Sequence, residues 1–202
     1  MLVLIIISIL IFGNSCTAQT NKFEATIDCL QYNAGHGYNH AQPYFPTGRF
    51  QNIKISKGKV IQFRLGVVGP SDGHIRLAPV IFPYNNTEMH EIVLSGWWNT
   101  KTVVRRYTRE QPDKTTNLKV LKEQASHGML STFTPFMFTM TVHPNGLVQL
   151  TRDDDFVPFL EFTDAKFSAK YIGFCNWENP LVFFYDCPLE VDRRKCEGIT
   201  FS

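Results

Sequence analysis

The chain has 202 residues, with 20 basic against 18 acidic side chains and a net charge of +2. That size bounds it to one domain or two small ones. So even a charge balance excludes nucleic acid as the main partner, since such a partner demands a concentrated basic surface. Beyond the N-terminus nothing approaches the roughly 20 apolar residues of a membrane span, so no integral membrane segment is expected.

Met1–Ala18 carries no charged side chain, and Leu2–Phe12 is an almost unbroken apolar run of eleven residues. The run is too short to span a bilayer, and Cys16 and Ala18 supply the small residues that a signal peptidase inspects. Residues 1–18 are therefore expected to be a cleaved signal peptide, with a secreted, extracellular protein beginning at Gln19. From there short runs rich in aromatic and β-branched residues alternate with Gly, Pro and Asn. Seventeen phenylalanines contribute to an aromatic content of 13%. This is the pattern of an all-β domain.

The expected strands are Lys22–Cys29, Arg49–Ser56, Lys59–Val68, Gly73–Pro79, Met89–Ser95, Lys101–Tyr107, Phe136–Val142, Leu147–Thr151, Pro158–Phe162, Ala169–Cys175 and Leu181–Cys187. Reversals are expected at Ser56–Lys59, Gly69–Gly73 and His143–Gly146, where residues that favour turns or tolerate positive φ cluster. Alternation is clearest in the third segment, where Ile61, Phe63, Leu65 and Val67 share a face opposite Gln62, Arg64 and Gly66. Asn145-Gly146 marks the tip of a hairpin. Thr115–Ala125 is left open between helix and strand. Residues 19–202 are thus expected to form one antiparallel β-sandwich of jelly-roll or galectin-like type, with about eleven short strands.

Loss of Cys16 with the leader leaves Cys29, Cys175, Cys187 and Cys196, an even number that reads as two disulfides in an exported chain. A hairpin reversing at Asn176–Pro180 would carry Cys187 beyond the roughly 7 Å that a bridge to Cys175 permits. The expected pairs are Cys29–Cys175 and Cys187–Cys196. Asn85-Asn86-Thr87 is an N-glycosylation sequon, which makes Asn85 a candidate glycosylation site in an exposed loop.

The most distinctive stretch is Glu91-Ile92-Val93-Leu94-Ser95-Gly96-Trp97-Trp98-Asn99-Thr100-Lys101-Thr102-Val103-Val104-Arg105-Arg106. It follows Gly73-His74-Ile75-Arg76-Leu77-Ala78 and precedes Pro158-Phe159-Leu160-Glu161-Phe162-Thr163-Asp164 and Tyr171-Ile172-Gly173-Phe174. This order resembles the farnesoic acid O-methyltransferase-type domain of invertebrates, with its AHI-L, EIVIGGWGNTKSVIRR, PFL-W-D and YIGF segments. The resemblance covers residues 59–187 and implies a β-sandwich. Trp98 stands where the family motif has glycine, and Gly73 precedes His74 where the family usually has alanine.

The family name implies methyl transfer to farnesoic acid. S-adenosylmethionine is usually held by a Gly-rich turn between strand and helix, and Ala34-Gly35-His36-Gly37-Tyr38 is not followed by a helical pattern. No cofactor is therefore expected. A nucleophile elbow, a P-loop and an H-E-x-x-H motif are all missing from the sequence. His36 and His40 have ligand spacing only on a helix, which the surrounding glycines oppose. Asp153-Asp154-Asp155 lacks the alternating ligands of a calcium loop. No metal site is expected.

Recognition is better supported. In an extended segment Trp97 and Trp98 point to opposite faces. Trp97 is expected to plug the core and Trp98 to offer a stacking surface for a sugar ring or a cation. Asn99 and Arg105 would supply directed hydrogen bonds, with His74 and Arg76 contributing from a neighbouring strand. The expectation is a lectin-like, non-catalytic module that binds carbohydrate or another polar ligand. The alternatives are a secreted effector, as in venom, saliva or haemolymph, acting on an extracellular protein or a membrane, and, behind it, a farnesoic acid methyltransferase.

Overall fold

A computed structural model describes residues 21–189. The predicted signal peptide and Cys196 lie outside the described residues. Thirteen strands form two antiparallel sheets. The first sheet holds β1 (Leu30–Ala34), β3 (Lys54–Ile55), β4 (Ile61–Val68), β9 (Phe136–Val142), β10 (Leu147–Arg152), β11 (Leu160–Thr163) and β13 (Leu181–Cys187), in the order β1-β13-β4-β9-β10-β11 with β3 paired to β4. The second holds β2 (Tyr44–Pro46), β5 (Gly73–Ala78), β6 (Thr87–Ser95), β7 (Lys101–Gln111), β8 (Lys114–Ala125) and β12 (Tyr171–Cys175), in the order β2-β12-β5-β6-β7-β8.

Strand periodicity builds the core. Phe63, Leu65 and Val67 of β4 are buried, and they join Phe136, Phe138 and Met140 of β9 and Val148 and Leu150 of β10 in one cluster. The same cluster takes in Ile75 and Leu77 of β5, Ile92 and Leu94 of β6, and Ile172 and Phe174 of β12. Every second residue of a strand faces the opposing sheet, so the two inner faces together make a single sandwich core. Phe174 of β12 stacks on Phe183 of β13 across it, with ring centroids 4.8 Å apart.

Local structure departs from the sequence reading in four places. Of the expected strand Arg49–Ser56 only Lys54–Ile55 extends, and Thr47–Arg49 is a 3-10 turn. Lys22–Cys29 does not extend: Lys22–Thr26 is a 3-10 turn capped by the Asn21 side chain, which accepts from the Phe23 N–H at 3.0 Å. The open segment Thr115–Ala125 is strand β8, held by backbone pairing along β7 rather than by burial of its own side chains. Tyr44–Pro46 adds a short edge strand beside β12.

The disulfide is Cys29–Cys187, with Cα atoms 4.1 Å apart, and neither expected pair forms. The expectation fails because Asn176–Pro180 is not a hairpin. It carries the chain from β12 in the second sheet to β13 in the first. There β13 pairs with β1, Leu30 opposite Tyr185, which brings Cys29 to Cys187. Cys175 instead lies opposite His74 of β5 as a buried free thiol, pushed up to about 12 by burial. Asn85 is exposed in the bend before β6, accessible as a sequon requires.

Candidate functional site

The outer face of the second sheet is ordinarily the polar, solvated one, but here its charged side chains are buried. Arg76 of β5 lies opposite Glu91 of β6, which lies opposite Arg105 of β7, so register alone places three ionised side chains in one row. Arg76 Nε donates to Glu91 Oε1 at 2.9 Å, and Arg105 Nε donates to Oε2 at 2.6 Å. Arg76 and Glu91 are fully buried. Tyr38, from the loop after β1, closes over the row. Its ring lies 4.3 Å from the Arg76 guanidinium carbon, and its carbonyl accepts from Arg76 Nη2 at 3.0 Å.

Burial alone would raise the Glu91 pKa, but its neighbours hold the carboxyl well below the usual range. The His74 ring lowers it through its Nδ1–H, and the Arg76 and Arg105 guanidiniums lower it through their charge. His74 sits 3.4 Å from Glu91 Oε1, but burial depresses its own pKa and leaves the imidazole neutral at pH 7. His74, Glu91 and Cys175 bring ligand-type atoms within 4.8 Å of one another. Arginine donors occupy both Glu91 oxygens, and the Cys175 thiol stays protonated. The arrangement therefore fits an internal ion-pair network better than a cation site.

Beside this row the chain leaves β6 through a turn of unusual backbone. Ser95, Trp97, Trp98 and Asn99 have φ of 51°, 53°, 61° and 62°. Left-handed conformation costs a non-glycine residue about 1–2 kcal/mol and persists only where the surroundings impose it. Here they do. The Thr100 N–H bonds to Gly96 O at 3.1 Å, the Trp97 N–H bonds to Asp72 Oδ1 at 3.1 Å, and the Asn99 side chain donates to Leu130 O at 3.1 Å. Gly96 is required, since a Cβ there would lie 2.9 Å from a Val93 methyl. Ser95 and Trp98 occupy two of the three places where the motif quoted above has glycine, and Gly96 keeps the third.

The turn overturns the expectation for the tryptophan pair. The segment is not extended, so the rings do not divide between core and solvent. Trp97 is 46% exposed and Trp98 83% exposed, and Trp97 is no core plug. Both rings instead line a cleft of about 290 Å³ together with Ser71, Asp72, His74, Arg105 and Trp177. All three tryptophans of the chain meet there.

Of the residues expected at the site, His74, Trp97, Trp98 and Arg105 line this cleft. Arg76 lies behind it under Tyr38, where it orients Glu91. Asn99 turns away to hold the 126–130 loop. The sequence reading missed Trp177, which follows β12, along with Tyr38 and Glu91. Their only advance signal was chemical: a third tryptophan, and a carboxylate inside a motif containing two arginines. His36 and His40 are exposed in a loop, and Asp153 is paired with Arg64 at 2.5 Å.

No curated protein matches the chain. Among solved structures, a carbohydrate-binding module of Bacillus subtilis is similar at 14% identity and TM-score 0.38, covering 63% of this chain and 80% of that one. A galectin of Caenorhabditis elegans is similar at 9% identity and TM-score 0.40, covering 77% and 94%. A β-glucanase of Bacillus licheniformis is similar at 12% identity and TM-score 0.40, covering 78% and 89%. The family profile described as farnesoic acid O-methyltransferase matches residues 38–189, most of the chain and all of the cleft, and the protein belongs to that family.

Proposed function

We propose that the protein is a secreted, lectin-like module that binds carbohydrate in the tryptophan-lined cleft. One observation carries this reading: three tryptophans from two separate segments converge over polar groups on the cleft floor. Flat indole faces stack on the apolar face of a sugar ring, while Arg105, His74 and Ser71 offer the directed hydrogen bonds that hydroxyls need. The left-handed turn supports it, because strain held in place by several bonds is typical of binding loops. Export is supported by the leader, by the exposed Asn85 sequon and by a disulfide of the kind that persists in oxidising compartments.

The family's name refers to methyl transfer to farnesoic acid, which requires S-adenosylmethionine and the terpenoid acid side by side. A cleft of about 290 Å³ is at the lower limit for a single small ligand, so it does not fit that pair. A glycan array with the purified protein tests the reading. Saccharide-dependent signal that is lost in Trp98→Ala is the expected result. A blank array, or binding indifferent to Trp98, would overturn it, and a protein-directed effector would give such a blank.

A further inference from the structure

Beneath the cleft the charges do not balance. Arg76, Arg105 and Arg109 share one buried network with a single carboxylate, Glu91. Arg109, two strand positions beyond Tyr107 on the same face of β7, donates to Tyr107 Oη at 3.1 Å and Tyr38 Oη at 3.3 Å, and to the Pro112 carbonyl. Three guanidiniums against one glutamate leave two positive charges in excess. The ring of Tyr38 offsets part of this, lying 4.3 Å from Arg76, 5.6 Å from Arg105 and 5.4 Å from Arg109. Donors remain unused all the same. Arg76 Nη1 and Arg109 Nε are buried without a hydrogen-bond partner among the described residues. Retaining buried, unbalanced cations is expensive unless something anionic completes the set.

The excess opens toward the cleft and nowhere else among the described cavities. His74 and Arg105 are the two members of the network that line it. His74 is 3% exposed, with its ring set between Tyr38 at 5.1 Å and Trp177 at 6.5 Å. The Arg105 side chain is 16% exposed, and its Nη1 makes no hydrogen bond among the described residues. Two acidic groups also border the opening. Asp72 is committed, accepting from the Trp97 N–H at 3.1 Å and the Ser71 hydroxyl at 2.7 Å. Glu178 stands exposed at the rim, where solvent screens it. The floor stays positive.

We propose that the preferred ligands of this cleft are glycans bearing an anionic substituent, a carboxylate or a sulfate ester. The anion is seated on the Arg105 guanidinium while its sugar ring stacks on the tryptophans. This rests on the carbohydrate reading above and narrows it. The fork of a guanidinium matches a carboxylate or sulfate in geometry as well as charge. Arg76 and Arg109 act from behind, through the field they set up in a low-dielectric floor.

The test is an array of matched pairs: glycans carrying uronic acid, sialic acid or sulfate, each beside the same saccharide with that group esterified, reduced or removed. The best pair is then titrated by calorimetry. The expected result is an acidic member bound at least about tenfold more tightly than its neutral counterpart, as one charge-assisted hydrogen bond allows. Arg105→Gln should bring the ratio close to one, and Arg105→Lys should restore part of it. Urea midpoints for both variants confirm that the sheet is intact. The carboxylate and sulfate arms identify the group. Equal affinity for acidic and neutral members would overturn this inference while leaving carbohydrate binding in place. Silence toward every saccharide would remove both.

Discussion

Trp98 is held at φ 61° and is 83% exposed, so its backbone conformation and its ring can be tested separately. A left-handed residue carrying a Cβ costs about 1–2 kcal/mol, and glycine escapes that cost. Glycine also adds roughly 0.5–1 kcal/mol of unfolded-state entropy, which offsets part of the gain. Trp98→Gly should therefore leave the protein as stable as the parent or up to about 1 kcal/mol more stable. Trp98→Ala keeps the Cβ and so keeps the strain, and it should sit below the glycine variant by a comparable margin. Both variants lose the ring and should bind saccharide about 1–3 kcal/mol more weakly. Urea unfolding with unchanged m-values gives the first comparison, and calorimetry gives the second. If glycine is no better than alanine, the turn is not under the strain described. If glycine keeps full affinity, Trp98 is not an anchor.

The half-exposed ring of Trp97 faces Lys101 Nζ at 4.5 Å. Trp97→Ala should cost well under the roughly 3–5 kcal/mol of a buried tryptophan while still weakening binding, and a larger loss of stability would restore the role of core plug. Glu91→Gln leaves Arg76 and Arg105 buried without a counter-charge and should destabilise by about 3–5 kcal/mol in chemical denaturation. A neutral result would mean that Glu91 does not hold the row together. Stability should also fall with pH. His74 and His90 have folded pKa values depressed by burial, so their contribution declines once pH drops below about 6.5. Glu91, also depressed, adds its loss below about pH 4.3, in a segment that Glu91→Gln should lack. A midpoint that rises between pH 7 and 5 contradicts this sign. Peptide mapping should recover Cys29 joined to Cys187, with Cys175 alkylated only after unfolding. Labelling of Cys175 in the native protein would refute its burial.

Much of the sandwich could be read from local pattern, because strands facing a core on one side alternate. Phe136–Val142 and Leu181–Cys187 have the expected ends. β8 could not be read that way. None of its residues is buried, so no alternation exists, and its partner β7 supplies its structure. The site was legible in composition and obscure in geometry. The tryptophan pair does line the cleft, but not in the way expected, since extension was assumed where four residues in five adopt left-handed angles. Trp177 lies far along the chain from Trp98 and joins it only because β12 pairs with β5. The Arg76–Glu91–Arg105 row depends on two cross-strand registers. No local period encodes these.

The bridge between Cys29 and Cys187 also has a mechanical consequence. It joins a residue beside the first strand to the last residue of β13, so the folded sandwich hangs from the S–S bond as a closed loop. Tension applied through the flanking segments passes across that bond and bypasses residues 30–186. Pulled in this direction, the cleft feels no load while the bond is oxidised. Reduction would bring β1 and β13, which run antiparallel at the sheet edge, under force, and the sheet would open by peeling one rung at a time.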